Sequence, residues 1–121
     1  MASIILKYKN KKIKINVKKT NFITKLTGLM FRTKETDNLL FNFSSDIKID
    51  FTSLFVFFPF LIIWLDENNK VLGSRIVKSF EPVIMARYNF RKVVEIPISL
   101  KNKKAINFFV GKKERFKYFR R

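Results

Sequence analysis

The amino-acid sequence predicts a mainly β fold, either an all-β sandwich or a partly closed barrel, with one short helix near the N terminus. Short apolar and alternating runs recur along the chain, and turn-forming residues separate them. The length of 121 residues fits a single domain over residues 1–121, long enough to bury a core without a disulfide or a metal. A basic hairpin begins this domain and a basic tail ends it.

The hairpin is predicted from residues 4–8, which are apolar, and residues 13–18, which alternate strictly between apolar and polar. Asn10, Lys11 and Lys12 lie between the two runs and form the expected turn. One face of the second strand is apolar and belongs to the core, while the opposite face carries a row of lysines. Such a row either binds anions or protects an exposed sheet edge.

A helix and further strands follow the hairpin. Thr20 can cap a short helix over residues 21–27. Pro97 removes a ladder donor, so its strand is expected at a sheet edge. The apolar runs predict strands over residues 39–43, 47–57, 60–65, 71–79, 92–100, 106–110 and 115–119. The core is expected to contain Phe41, Phe43, Phe51, Phe55, Phe57, Phe58 and Phe60.

The longest apolar run, residues 54–65, contains twelve residues and is interrupted by Pro59. A membrane-spanning helix needs about 20 apolar residues, so the sequence predicts no transmembrane segment. The N terminus becomes rich in lysine before a long apolar region forms, which does not resemble a secretory signal. We therefore expect a cytoplasmic protein.

The net charge of the chain is +17, and most of it lies at the two ends. Residues 1–20 contain seven lysines and no acid, and residues 101–121 contain nine basic residues and one acid. A compositional bias toward lysine or a thermophilic surface would raise the number of acids as well, so neither explains the excess. A polyanionic partner would offset the self-repulsion of such a chain.

The candidate nucleic-acid-binding residues are the cations of these two ends, which can neutralise phosphates and release counterions. They are Lys7, Lys9, Lys11, Lys12, Lys14, Lys18, Lys19, Lys101, Lys103, Lys104, Lys112, Lys113, Arg115, Lys117, Arg120 and Arg121. Aromatic side chains alternate with cations over residues 115–121. Those aromatics could stack on bases or form the inner face of a last strand.

The sequence offers little for catalysis. It contains no His and no Cys, which excludes His-based triads, thiol nucleophiles and the common zinc sites. The acids fall at predicted turns or on predicted surface, and the three glycines do not form a phosphate-binding loop. We expect no enzyme activity, no catalytic residue, no metal and no cofactor.

Four segments, taken in order, resemble the domain-of-unknown-function-192 family of small bacterial and archaeal β-domains. They are GLMFR at residues 28–32, LLFNF at 39–43, FVFFP at 55–59 continuing to LDENNKV at 65–71, and ARY at 86–88 with VVEIP at 93–97. The third segment is similar to the archaeal pattern of the family. The resemblance covers roughly residues 13–112 and implies a jelly-roll-like β-sandwich with a short helix near the N terminus.

The polar positions of that family are largely absent from this chain. Thr52 and Ser53 stand in place of the family's His-Met or Trp-Met pair, and Leu61 and Lys112 stand in place of its two Asp residues. Arg32 and Glu95 remain, and they could form a structural ion pair. The family has no settled activity, so the resemblance implies a fold rather than a function.

The sequence therefore favours a non-catalytic, strongly basic RNA-associated protein, such as a peripheral component of the ribosome. The alternative is a family-like small-ligand or protein-interaction module. That alternative would need an enclosed pocket near Arg32, Thr52, Leu61 and Glu95, with convergent polar groups. DNA and an anionic membrane surface carry the same charge as RNA and are further candidate partners.

Overall fold

The structure is a computed structural model that describes residues 2–20, 32–51, 53 and 55–111. A 3-10 turn at Leu100–Asn102 leads into helix α1, Lys103–Phe109. The strands of the described residues are β1 (Ala2–Tyr8), β2 (Lys11–Thr20), β3 (Leu39–Ile47), β4 (Phe60–Leu65), β5 (Val71–Val77) and β6 (Phe90–Pro97). The fold is mainly β, as the sequence predicts, although the described residues contain six strands where eight or nine were expected.

These strands form one sheet in the order β1-β2-β3-β6-β4-β5, and the sheet curls into half of a barrel. The β2–β3 pair is parallel, and the other neighbouring pairs are antiparallel. The two edge strands meet at one point, where the backbone N–H of Lys7 donates to the carbonyl of Asn69 at 3.0 Å. The described residues therefore form a single curled sheet, which fits the partly closed barrel of the two predicted alternatives and not the two packed sheets of a sandwich.

Each face of the sheet supports its own hydrophobic core, because successive side chains of a strand point to opposite faces. The inner core takes buried residues from β1, β2, β3, β4 and β6 and from Ala105 and Ile106 of α1, and partly buried Val71 and Ile76 of β5 pack against it. The outer core lies on the other face. It contains Phe41, Phe60, Ile62, Trp64 and Phe90 from the sheet, covered by Val56, Phe58, Ile84 and Ala86 from two loops.

The helix of the described chain is C-terminal, and it occupies residues for which the sequence predicted the strand over 106–110. Lys and Ala, which favour helices, begin the segment, and Gly111 follows its end, as at many helix C termini. A short apolar run does not distinguish a buried helix from a strand, which explains the wrong prediction. The helix predicted over residues 21–27 and the strand over 115–119 lie outside the described residues. Within the described residues, no helix has the length and apolarity to span a bilayer.

The strand that contains Pro97 is central and not at an edge, which corrects a second prediction. β6 lies between β3 and β4, and residues 93–97 are all buried. Pro97 is the last residue of β6, so its missing N–H costs little, and the next N–H, that of Ile98, donates to the carbonyl of Pro59 at 3.0 Å. A strand that is buried on both faces has a near-continuous apolar sequence, and VVEIP fits this pattern.

The sequence predicted a strand over residues 47–57, but β3 ends at Ile47, where that strand was expected to begin. The described residues that follow form a loop over the outer core, held by Ser53. The Oγ of Ser53 donates to the carbonyl of Lys78 at 2.8 Å and accepts the backbone N–H of Glu81 at 2.7 Å. These bonds tie the loop to the segment after β5, so Ser53 has a structural role in a position where the family is polar.

The predicted core phenylalanines divide into three groups. Phe41, Phe58 and Phe60 are buried, as expected, and Phe43 and Phe51 are partly buried. Phe55 and Phe57 are 47% and 57% exposed, so their assignment to the core was wrong. The alternation along residues 55–58 puts one face of the loop against the outer core and the other in solvent.

Candidate nucleic-acid interface

The β1–β2 hairpin presents its lysines to solvent because its other face supplies the inner core. Ile15 and Val17 are buried, so the alternate positions of β2, which include Lys12 and Lys14, are exposed. Lys7 of β1 lies directly opposite Lys12 in the strand register. Like charges in directly opposed positions destabilise a sheet, and a bound anion would relieve their repulsion.

The turn of this hairpin consists of Lys9 and Asn10, so it begins one residue earlier than predicted. Both residues have left-handed backbone conformations, with φ of 49° and 63°, as a type I′ turn requires. A bridge between Lys7 and Lys70 places the start of β5 beside the end of β1. A concave surface is consequently lined by five lysines, which we call the tip cluster: Lys7, Lys9, Lys11, Lys12 and Lys70.

A groove between β2 and α1 brings the two basic ends of the sequence together. Lys14 and Asn16 of β2 line this groove with Lys101 and Lys104, and we call it the helix groove. The ammonium group of Lys101 also donates to the backbone carbonyl of Glu35. The helix packs on the inner core, and this contact holds its lysines beside the hairpin.

Every described lysine of the predicted site is exposed. The tip cluster and the helix groove together contain Lys7, Lys9, Lys11, Lys12, Lys14, Lys101 and Lys104. Lys18 and Lys19 lie farther along β2, where that strand pairs with β3, and Lys103 is on α1. The remaining predicted site residues, Lys112, Lys113, Arg115, Lys117, Arg120 and Arg121, lie outside the described residues.

Three acids outside the hairpin pair with arginines. Arg75 pairs with Glu81, and Arg91 lies 3.1 Å from Asp46 and 3.8 Å from Glu67. Among the described residues, no lysine of β1, β2 or their turn takes part in an ion pair. The positive charge of the hairpin is therefore uncompensated within this part of the chain, and it can attract a polyanion from solution.

A further groove joins the tip of the hairpin to the end of α1, and we call it the aromatic groove. Its ring and polar side chains are those of Tyr8, Lys9, Lys11, Asn107, Phe108 and Phe109. The ring centroids of Tyr8 and Phe109 are 5.2 Å apart, and those of Phe108 and Phe109 are 5.0 Å apart. The Nζ atom of Lys9 lies 5.2 Å from the centroid of the Tyr8 ring, within the range of a cation–π contact.

The positions that would form a family-like ligand pocket do not converge in the described chain. Leu61 faces the inner core, whereas alternation along β6 places Glu95 on the outer face, between Leu39 and Ile62 of the neighbouring strands. Thr52 lies outside the described residues. Glu95 and Leu61 are thus separated by the sheet itself.

Glu95 and Arg32 do not form the ion pair that the sequence suggests. No ion pair between them occurs among the described residues, and the guanidinium group of Arg32 donates to Oγ1 of Thr36 at 3.5 Å. Glu95 is 5% exposed, and its burial raises the pKa of its carboxyl from 4.5 to about 8, because loss of water disfavours the charged form. This carboxyl is therefore a buried group of the sheet centre.

Sequence reasoning missed the residues that complete the two grooves and the tip cluster. Lys70 belongs to the electrically neutral middle of the chain, so a count of charge by segment gives it no weight. Tyr8 and Phe109 were both assigned to strands, and they meet only because residues 103–109 are helical. The available signal was the Lys and Ala residues at the start of this segment together with Gly111 after its end.

Comparison with protein families gives one match, which covers most of the chain. A family model described as "Uncharacterized ACR", a domain of unknown function, matches residues 4–108. It is the family that the four sequence segments resemble. No curated protein matches the chain significantly.

Two of the solved structures that share this fold come from bacteria. A protein of unknown function from Novosphingobium aromaticivorans DSM 12444 is 17% identical, with a TM-score of 0.68 over 84% of this chain and 76% of that one. A protein from Sinorhizobium meliloti 1021, described as a transcription regulator candidate, is 16% identical, with a TM-score of 0.68 over 84% of this chain and 81% of that one. At these identities the similarity shows the fold alone.

Proposed function

Because this chain belongs to the domain-of-unknown-function-192 family, which has no assigned activity, we propose a function from the basic surface that it carries on the family's scaffold. The protein is a non-catalytic RNA-associated protein that binds the phosphate backbone through the tip cluster and the helix groove. A position at the periphery of the ribosome, in the cytoplasm, fits a small basic domain of this kind.

The observation that carries the proposal is the convergence of the two basic ends. Lys14 comes from the N-terminal hairpin, and Lys101 and Lys104 come from the C-terminal part of the chain, yet they line one groove. The tip cluster adds five more lysines near the hairpin turn. Lysines from distant segments of the chain can in this way contact several successive phosphates, which are closely spaced along each nucleic-acid strand.

The energetics of the hairpin also favour a polyanion. Lys7 and Lys12 are directly opposed on neighbouring strands, which costs stability when no anion is bound. Binding of a phosphate between them would replace repulsion by attraction and would release the counterions condensed on RNA. An edge that only needs protection from aggregation would not require lysines on the helix as well.

RNA is favoured over the other polyanions because aromatic rings lie beside the lysines. Tyr8, Phe108 and Phe109 are partly buried next to Lys9 and Lys11, and rings of this kind contact unpaired bases, which are common in folded RNA. Duplex DNA offers few unpaired bases, and a lipid surface offers none. The description of the Sinorhizobium meliloti protein makes DNA the nearest competing partner.

The proposal is tested by the nucleic acid that accompanies the purified protein. Nucleic acid absorbs most strongly at about 260 nm and protein at about 280 nm. We expect the chain purified at low salt to have a high ratio of absorbance at about 260 nm to that at about 280 nm, and we expect this ratio to fall at high salt. The chain should also co-sediment with ribosomes at low salt. The double variant Lys14→Glu/Lys104→Glu should lose both properties. The control Lys48→Glu/Lys78→Glu changes net charge equally at exposed lysines outside both surfaces. Equal behaviour of the two variants, or a nucleic-acid-free wild type at low salt, would refute the proposal.

A further inference from the structure

We propose that the aromatic groove binds one unpaired nucleotide of the RNA, with the base against the rings of Tyr8 and Phe108 and the phosphate on Lys9 and Lys11. This inference rests on the proposed function and specifies it, because it distinguishes a single-stranded segment from a duplex. Four observations support it: the rings, an unpartnered polar atom, a strained turn and the size of the groove.

The three rings form a compact group that is only partly covered. The centroids of Tyr8 and Phe108 are 6.1 Å apart and those of Tyr8 and Phe109 are 5.2 Å apart, and all three side chains are of intermediate exposure. The rings in the centre of the outer core, such as Phe41 and Phe60, are buried. Partly exposed rings beside cations are the arrangement with which proteins hold single-stranded nucleic acid.

A buried polar atom in the groove has no partner. The Oδ1 atom of Asn107 is inaccessible and accepts no hydrogen bond among the described residues. Buried acceptors are nearly always satisfied in folded proteins, so an unsatisfied one calls for a specific explanation. The Asn107 side chain also lines the groove, so its rotation would bring this acceptor to the amino or imino donor of a base that enters the groove.

The turn beside the groove contains a lysine in an unfavourable conformation. Lys9 has φ of 49°, a region in which Asn, Asp and Gly are preferred at this position of a type I′ turn. Backbone strain of this kind is concentrated at functional sites. The strained turn holds Lys9 where its ammonium contacts the Tyr8 ring and lines both the aromatic groove and the tip cluster.

The groove has the volume and the surroundings that a nucleotide needs. It encloses about 530 Å³, within the range of roughly 300–1,000 Å³ that is typical of small-ligand sites. Lys9 and Lys11 line it and also belong to the tip cluster. The phosphates on either side of a bound nucleotide would therefore lie next to the other lysines of the tip cluster.

The test compares a single-stranded oligouridylate with a blunt RNA duplex of the same number of phosphates. The variant Tyr8→Leu/Phe108→Leu keeps apolar side chains and every lysine but removes two rings. We expect it to weaken binding of the single strand by roughly 5- to 150-fold, the range for loss of one stacked base, and to leave duplex binding and its salt dependence unchanged. The control Phe80→Leu removes an aromatic ring that is 53% exposed elsewhere on the surface.

A second measurement keeps the test independent of stability. Oligouridylate that contains 4-thiouridine should cross-link, on irradiation, to a peptide that contains Tyr8 or Phe108. If single strand and duplex bind wild type equally and Tyr8→Leu/Phe108→Leu changes neither, the inference is wrong while the proposed function stands. If neither RNA binds in a salt-dependent manner, the proposed function itself is wrong. Cross-links confined to peptides outside the groove would also overturn the inference.

Discussion

Glu95 is the residue whose chemistry is most strongly changed by its position in the fold. It lies at the centre of the sheet, and burial raises the pKa of its carboxyl to about 8. Below about pH 4.5 this carboxyl is protonated in both the folded and the unfolded chain. As the pH rises toward 8 the unfolded chain ionises first, so the folded state loses stability across this window.

We therefore predict that Glu95→Gln removes a pH dependence of stability. The wild type should lose about 3–5 kcal/mol of unfolding free energy between pH 4.5 and pH 8 relative to the variant, which carries a neutral side chain of the same shape. Urea denaturation at pH 4.5 and pH 8 measures the difference. Glu35→Gln, at an exposed glutamate in the turn before β3, is the control. Parallel pH profiles for wild type and Glu95→Gln would show that the raised pKa is wrong.

Gly73 is required by a close approach between β5 and the segment before β6. A Cβ atom built on Gly73 would lie 1.5 Å from the hydroxyl oxygen of Tyr88, and the Tyr88 ring in turn contacts Trp64, with centroids 6.1 Å apart. Gly73→Ala must displace Tyr88 from this position. Overpacking of this kind costs about 1–3 kcal/mol.

The matched control for this prediction is Gly111→Ala, because a Cβ atom at Gly111 meets no atom within 4 Å. Denaturation by urea should show a lowered unfolding free energy for Gly73→Ala. Gly111→Ala should stay within about 0.5 kcal/mol of the wild type, as surface substitutions usually do. Equal stabilities of the two variants would mean that Tyr88 is not held against Gly73.

At the scale of elements, the β1–β2 hairpin combines a binding surface with a stability cost. Its register places Lys7 opposite Lys12, and replacing one of them by an acid would turn a repulsive pair into an attractive one. We predict that Lys12→Glu raises the unfolding free energy at low salt by roughly 0.5–1 kcal/mol and weakens RNA binding. Lys18 lies opposite Leu39 and outside both lysine surfaces, so Lys18→Glu is the control, which changes the net charge equally without the gain in stability.

Thermal unfolding and RNA titration of the two variants separate these effects. The gain for Lys12→Glu should shrink as salt is added, because salt screens exposed charges. A Lys12→Glu variant that is less stable than wild type at low salt would show that the opposed lysines do not repel in the folded hairpin.

The hairpin also shows which elements local sequence determines. Strict alternation over residues 13–18 predicts β2 correctly, because side chains of a strand with one solvated face must alternate. The turn was misplaced by one residue, since Lys9 has a conformation that its residue type does not favour. Residues 106–110 were wrongly assigned to a strand because burial against the inner core, rather than the apolar pattern, sets the helical form of this segment.

At the scale of the whole molecule, charge and fold have separate origins. Composition predicts that the two ends are basic, and the family resemblance, confirmed over residues 4–108, predicts a mainly β domain. Neither predicts that Lys14 faces Lys101 and Lys104 across one groove, since this depends on long-range contacts between β2 and α1. The lysines of the site could therefore be named from the sequence, but their common surface could not.

The central claim is that the exposed lysines of the hairpin and the helix hold RNA by its phosphates. The most direct test is the dissociation constant of the purified chain for a single-stranded RNA between about 50 and about 200 mM salt. Contacts to about six phosphates of a single strand would weaken the affinity by roughly 300-fold across this range. The salt dependence of Lys14→Glu/Lys104→Glu should be shallower by about two contacts. A dissociation constant that stays the same from low to moderate salt would contradict the claim.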